Sequence, residues 1–583
     1  MTIENNELSK ITEINDYFKT PIYYNDNKKE INKNIITDLE LVTTIDQSCN
    51  PIYTYCFNND NDISKKLIEQ MSKYYTTDTH FLRENQKLLK EYKKIDKKYT
   101  DIVPNYKNII EIWNELKIDT TFKEKYYYVD WEMLEFLNKS DFFLQFLSIY
   151  NLCSPILSLM MPIFILIIPF FIIKIKGLPI NINEYITILK LVATQNAIGK
   201  LFTINFSEIN IQDKIYVIIS AVFYIFSIYQ NIMVCIRFHK NMSIIHNHFN
   251  EIKLYLEKTI LTMENYLLYS KQLSTHQKFN EELIQKCNVL KNIYLKLNQI
   301  SGYSIYNINK LKEIGTILKY FYELHTDKTY EEAIMYSFGF NGYIDCIEGL
   351  QKNLEERKIN FAIFIEQHKK NVFNNSYYAC LKDKKPIKNT IKLKKNMIIT
   401  GPNASGKTTI LKSTLINIIL TQQFGCGFYE SAKLMPFHYI HCYLNIPDTS
   451  GRDSLFQAEA RRCKEILDNI IDNKTETHFC AFDELYSGTN PEEAETSAIA
   501  FLKYLTKYNN VSYLLTTHFI KVCKNLTTNK NIKNCHMVTK KINNKLKYLY
   551  ILKNGISEVK GGINVLTEMN YPKEIIDNTI NNE

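Results

Sequence analysis

Asn396–Thr409 reads NMIITGPNASGKTT, and the fold is decided there. The apolar run Met397–Thr400 predicts a buried strand. Gly401-x-x-x-x-Gly406-Lys407-Thr408 follows, and Thr409–Leu420 then reads as an apolar helix. Glycines at both ends of the loop let the backbone turn its N–H groups inward around a chain of phosphates. Lys407 adds a point charge, and Thr408 offers a hydroxyl to Mg2+. Gly401, Pro402, Asn403, Ala404, Ser405, Gly406, Lys407, Thr408 and Thr409 are therefore the candidate nucleotide-binding residues, for ATP or GTP.

Further along stands His478-Phe-Cys-Ala-Phe-Asp483-Glu484. Apolar and small residues ending in two carboxylates predict a buried parallel strand that delivers acids to the carboxyl edge of a sheet. Asp483 would then hold Mg2+, and Glu484 would polarise the attacking water as general base. The alternative is a helix N-terminus, where paired acids are also favoured.

Three more blocks complete a pattern: Ser454-Leu-Phe456-Gln-Ala-Glu459, then Gly488-Thr489-Asn-Pro491 after the acids, then strand-like Val511–Leu515 running into Thr516-Thr517-His518. Together they resemble the ATPase domain of the MutS family, the mismatch-repair branch of the ABC ATPases. The TGPN-x-x-GK-[ST]-T loop matches Thr400–Thr409, DE-x-x-x-GT matches Asp483–Thr489, and S-x-F-x-x-E matches Ser454, Phe456 and Glu459. The resemblance is strong over 375–579 and thins upstream. It implies ATP with Mg2+, catalysis by Lys407, Glu484 and His518, and a dimer in which Ser454 completes the partner's site. It also implies that His536 packs on the adenine; a plain strand histidine is the alternative. An ABC transporter is disfavoured because the usual LSGGQ signature is absent from the sequence.

Two similar-looking patterns are set aside. Gly427-Phe428-Tyr429-Glu430 resembles the family's mismatch-inserting wedge but lies just beyond the phosphate-loop helix, so it predicts a core strand. His438-x-x-His441-Cys442 falls in a β-rich stretch where positions 438 and 441 face opposite sides, which disfavours zinc.

The chain of 583 residues has room for three or four domains. Its thirteen cysteines include no C-x-x-C pair, which fits reduced thiols in a cytosolic setting. A net charge of +9 on this length permits contact with nucleic acid or anionic lipid and requires neither. The lysine-dense stretch Lys382–Lys395 reads as a solvated face.

What sets the chain apart is apolar. No charged side chain occurs from Phe142 to Ile173, nor from Ile215 to Ile236. Each run could cross a hydrocarbon core, for which ~20 residues suffice. Pro155, Pro162 and Pro169 recur on one helical face, as transmembrane helices tolerate. A helix pair buried in a soluble core is the alternative. No secretory signal precedes the runs in the sequence given. If both span, the ATPase faces the cytosol and 174–214 lies on the far side. Arg237 and Lys240 favour that orientation, while Lys174 and Lys176 oppose it.

The expected architecture is an α/β P-loop ATPase domain of ABC type at the C-terminus, with an all-α lever and core region and a two-helix transmembrane hairpin. The expected segments are 1–140 (helical core), 141–240 (hairpin, about 152–173 and 215–236), 241–374 (levers) and 375–583 (ATPase). Expected partners are a second copy or a related subunit, DNA, and a membrane.

Overall fold

The computed structural model describes residues 14–46, 48–58, 62–94, 106–177, 181–195, 210–302, 311–366, 370–444, 446, 454–542, 545–559 and most of 566–581. The chain forms two compact units, one of Ile102–Ile260 with Asn288–Ala333, the other of Met1–Asp101, Leu261–Cys287 and Ile334–Glu583.

The first unit is helical. Its main elements are α1 (Asp141–Ile175), α2 (Ile182–Gln195), the 60-residue α3 (Ile211–Ser270, which continues into the other unit) and α4 (Ile314–Thr326). Ser140 caps α1 by accepting from Phe143 N at 3.3 Å. Pro155, Pro162 and Pro169 lie inside α1, and each removes the N–H that the carbonyl four residues earlier would accept. Side chains take over. The Asn151 carbonyl accepts from Ser154 Oγ at 2.8 Å and from the Cys235 thiol at 3.5 Å, and the Ser158 carbonyl accepts from the Tyr224 hydroxyl at 2.9 Å. Beside the third freed carbonyl, that of Ile165, the Leu166 carbonyl accepts from the Tyr185 hydroxyl at 2.6 Å. The seven-residue proline repeat thus sets the face on which α2 and α3 meet α1. Outward, the same helices expose Ile156, Leu159, Phe171, Ile218, Phe223 and Ile225. Only 11% and 6% of their most apolar windows are buried.

The second unit is α/β. Its six-stranded sheet contains β1 (Asn396–Thr400), β2 (Tyr439–Tyr443), β3 (His478–Asp483), β4 (Val511–Thr517), β5 (Ile532–Ile542) and β6 (Lys545–Asn554) in the order β6-β5-β1-β4-β3-β2. All neighbours are parallel except β5 and β6. A five-stranded sheet from 360–364, 372–376, 389–392, 426–427 and 431–434 accompanies it. Helix α5 (Lys407–Phe424) lies against both sheets and is buried on nearly every side. Its buried amides reach the N-terminal segment: Gln423 Nε2 donates to the carbonyls of Met71 and Tyr74, both at 2.8 Å, and Gln422 Nε2 donates to that of Thr76 at 3.2 Å.

Those amides explain a departure from the expected segments. Residues up to 101 compact with the α/β domain, because leaving two buried carboxamides unpaired would cost about 1–3 kcal/mol per group. The expected lever segment 241–374 is likewise divided, with 261–287 in the α/β unit and 288–333 in the helical one. The 428–430 segment also differs from expectation. Its strand ends at Gly427, and Phe428 and Tyr429 follow as a fully buried bend.

Candidate nucleotide site

Beyond Thr400 the chain leaves the sheet, turns, and enters α5 at Lys407. Gly406 adopts φ +92°, and Ala404, which is not glycine, is held at φ +61°. A Cβ on Gly406 would stand 3.1 Å from the Tyr550 ring, and one on Gly401 would stand 2.8 Å from Ser405 Oγ. The loop is closed so tightly that both positions require glycine.

The Lys407 ammonium is buried and donates to the carbonyls of Gly401 at 2.9 Å and Pro402 at 3.3 Å. Burial pulls its pKa below the usual lysine value, and the charges of Glu484 and Asp483 oppose that pull. Ser405 Oγ is buried in the same loop without a hydrogen-bond partner. A buried cation turned onto its own loop and an orphaned buried hydroxyl are what a phosphate chain would satisfy, so the loop fits the nucleotide that its sequence implies.

Thr408 lies on the first turn of α5, and its hydroxyl donates to Asp483 Oδ2 at 2.9 Å. Asp483 ends β3 and also accepts from Thr516 Oγ1 on β4. Burial raises the Asp483 pKa, and the two threonine hydroxyls work against the rise. One carboxylate and one hydroxyl of this kind suit Mg2+, which prefers few protein oxygens and its own water. Glu484 follows at φ +49°, with its N–H donating to the Thr516 carbonyl at 2.9 Å. That left-handed step turns Oε1 to 3.3 Å from His518 Nδ1 and 3.8 Å from Lys407 Nζ. Hydrogen bonding to His518 is the main reason its pKa falls below the usual glutamate value. Lys407, Thr408, Asp483, Glu484 and His518 therefore share one place.

Ser454 and His536 stand apart from that group. Ser454 is exposed at the N-cap of α6 (Leu455–Asp472), in a reciprocal capping box with Gln457. On α6, buried Glu459 accepts from Ser487 Oγ at 3.0 Å and Gly488 N at 3.1 Å, tying this helix to the loop after the acids. His536 pairs with Thr400 across β5 and β1, yet its neighbour Met537 is the residue packed against Gly401 and Gly406. Strand side chains alternate, so His536 points away, toward Gly555. A cavity of about 370 Å3 opens beside the loop, lined by Tyr377, Ile387, Gly406, Thr409, Met537 and Tyr550, and His536 lies outside that lining. His536, for which an adenine contact is expected, thus faces away from the loop, while Met537 faces it. Two further residues belong to this place, Thr516, two positions before His518 at the end of β4, and Tyr550 on β6, for which the sequence carries no motif.

A glycine-cornered loop between a buried strand and a helix, facing adjacent acids on a parallel strand two places along the sheet, is the arrangement that phosphate-loop nucleotide-binding proteins use. Residues 397–582 match the family model for MutS domain V, and this part of the chain is similar to that domain of the MutS family. Similar proteins include the DNA mismatch repair protein MutS of Persephonella marina, 28% identical over 247 residues, covering 40% of this chain and 27% of that protein. MutS of Parabacteroides distasonis is 32% identical over 184 residues, 31% of this chain and 21% of its own length. The DNA mismatch repair protein spellchecker 1 of Drosophila melanogaster is 28% identical over 198 residues, 33% and 21% of the two chains. The chain spans 21% to 27% of the length of these relatives.

Proposed function

We propose that this chain is an Mg2+-dependent ATP hydrolase that works as a dimer, binds DNA through the phosphate backbone, and is anchored in a membrane. The observation that carries the hydrolase reading is the convergence of Lys407, Thr408, Asp483, Glu484 and His518. Lys407 and the loop amides bind and orient the phosphates, and Thr408 with Asp483 would hold Mg2+, which neutralises charge there when bound. Glu484 accepts the proton of the attacking water, and His518 keeps that carboxylate ionised. Ser454, exposed at a helix N-terminus, is available to a second copy's phosphates.

The DNA reading draws on the relatives, which are mismatch-repair proteins by name. Phe428 is buried and carries no mismatch-reading role, so DNA affinity is electrostatic in this account. The membrane reading draws on the exposed apolar faces of α1 and α3 and on the internally capped carbonyls, which hydrocarbon would demand. In this arrangement the ATPase domain faces the cytosol. The same exposed hairpin favours a second reading, a membrane-anchored mechanical ATPase that no longer grips DNA.

Salt-titrated binding to homoduplex, mismatched and branched DNA separates the two. The first reading expects affinity that falls steeply with salt and depends little on mismatch. Absence of binding to every duplex at low salt overturns it in favour of the second.

A further inference from the structure

Just before α1, a 3-10 helix covers Glu132–Lys139, and only Ser140 separates the two. Two of its polar side chains are held by hydrogen bonds, while Glu132 and Lys139 are exposed. Buried Asn138 exchanges hydrogen bonds with the Val129 backbone at 2.9 and 2.7 Å, and Glu135 accepts from the Tyr322 hydroxyl at 2.6 Å. Trp131, just before it, is 64% exposed, and on the helix Met133 is 66% and Phe136 65% exposed, while Leu134 and Leu137 are half-buried. The first turns of α1 bury Leu144 and again leave large aromatics exposed. Gln145 accepts from Gly315 N at 2.8 Å and Ser148 is buried, while Phe142 is 81% exposed and Phe146 65%. So close a grouping of exposed large apolar side chains is unusual for a surface that faces water.

We infer that Trp131, Met133, Phe136, Phe142 and Phe146 form an interfacial anchor lying among lipid headgroups on the cytosolic side of the bilayer. The inference rests on the membrane reading of α1 and α3 and adds where the boundary falls. Cys235 meets the Asn151 and Leu152 carbonyls, so Arg237, which closes the second uncharged run, stands near the level of Tyr150. At 1.5 Å per residue, Phe146 lies about 6 Å and Phe142 about 12 Å beyond that level. The headgroup layer is about 5–8 Å deep on each side, so Phe146 lies within it and Phe142 at its water-facing margin. Tryptophan and other amphipathic aromatics favour this layer. The neighbouring charges are Asp130, Glu132, Glu135 and Asp141 against Lys139, with Lys123 paired to Asp130 and Glu135 and Lys319 beside Asp141, so no basic excess is present and the anchor works by aromatic insertion without requiring anionic lipid.

The chain has two tryptophans, Trp131 and the buried Trp113, which makes the test direct. The full chain is reconstituted in phosphatidylcholine vesicles whose acyl chains carry bromine either close to the headgroup or close to the chain end. Tryptophan emission is then read for wild type and Trp131→Phe. The expected result is loss of most of the Trp131 emission with shallow bromine, less loss with deep bromine, and no bromine-dependent loss in Trp131→Phe. Emission unchanged by bromine in a protein that still resists alkaline carbonate extraction overturns the anchor and leaves the membrane reading standing. Release by carbonate overturns both. Quenching that persists in Trp131→Phe, or that needs added phosphatidylserine, also overturns the anchor as stated.

Discussion

Replacing Glu484 by Gln separates catalysis from nucleotide affinity. The carboxylate lies 3.8 Å from the Lys407 ammonium and 3.3 Å from His518 Nδ1. At that separation the gross attraction to Lys407 is ~4 kcal/mol with an effective dielectric of 20. Glu484 is a third exposed, so solvent screens most of this, and about 1 kcal/mol is a fair net value. In the nucleotide-free protein that attraction competes with phosphate for the ammonium. Glu484→Gln removes the competitor, so ATP affinity should hold or tighten, by about fivefold at most for ~1 kcal/mol. Turnover should fall by ~10²-fold or more, because the amide cannot take the proton of the attacking water. Lys407→Ala should lose both affinity and turnover. Calorimetric ATP titration beside steady-state phosphate release reads the two quantities separately. If Glu484→Gln loses ATP affinity as severely as Lys407→Ala does, the general-base assignment is refuted.

Other outcomes follow from the same geometry. His518 holds the Glu484 pKa down, so the base stays ionised, and its folding contribution is kept, above the unfolded value and is lost only as pH falls through the lower folded one; His518→Ala should move the acid limb of the turnover profile to higher pH, and an unmoved limb would count against the pair. Thr516→Val leaves Asp483 with one threonine hydroxyl and should lower stability by about 1–3 kcal/mol, measured by urea unfolding; an unchanged midpoint would show that the contact carries no weight. Both apolar runs predict retention in the membrane pellet through carbonate at high pH, whereas a soluble monodisperse product without detergent would favour a buried helix pair. Without a wedge, discrimination of a single mismatch should fall well below the ~1–3 kcal/mol usual for one base pair; a tenfold preference abolished by Phe428→Ala would contradict the burial argument.

The engine was legible because its chemistry is local in sequence. Six residues from Gly401 to Gly406 must turn one way, and Asp483 must end a strand, so the loop and the acidic strand announce themselves. The partition of the chain was not legible, because it depends on pairings such as Gln423 with Met71 and Tyr74 that no periodicity encodes. His536 shows another limit: the resemblance located the strand, and a single-residue alternation decided which neighbour faces the loop. The apolar runs were visible from composition, but the capping of α1's carbonyls by Tyr224, Cys235 and Ser154 needed three-dimensional contacts.

The central claim is a hydrolase that needs two copies, and mixing two dead variants tests it most directly. Ser454→Ala keeps its own phosphate loop, and Lys407→Ala keeps its own Ser454. In an equal mixture half the dimers are mixed, and each mixed dimer rebuilds one of two sites, so phosphate release should recover to about a quarter of wild type if subunits exchange freely. A fully exchanged mixture as inactive as its parents would contradict the account.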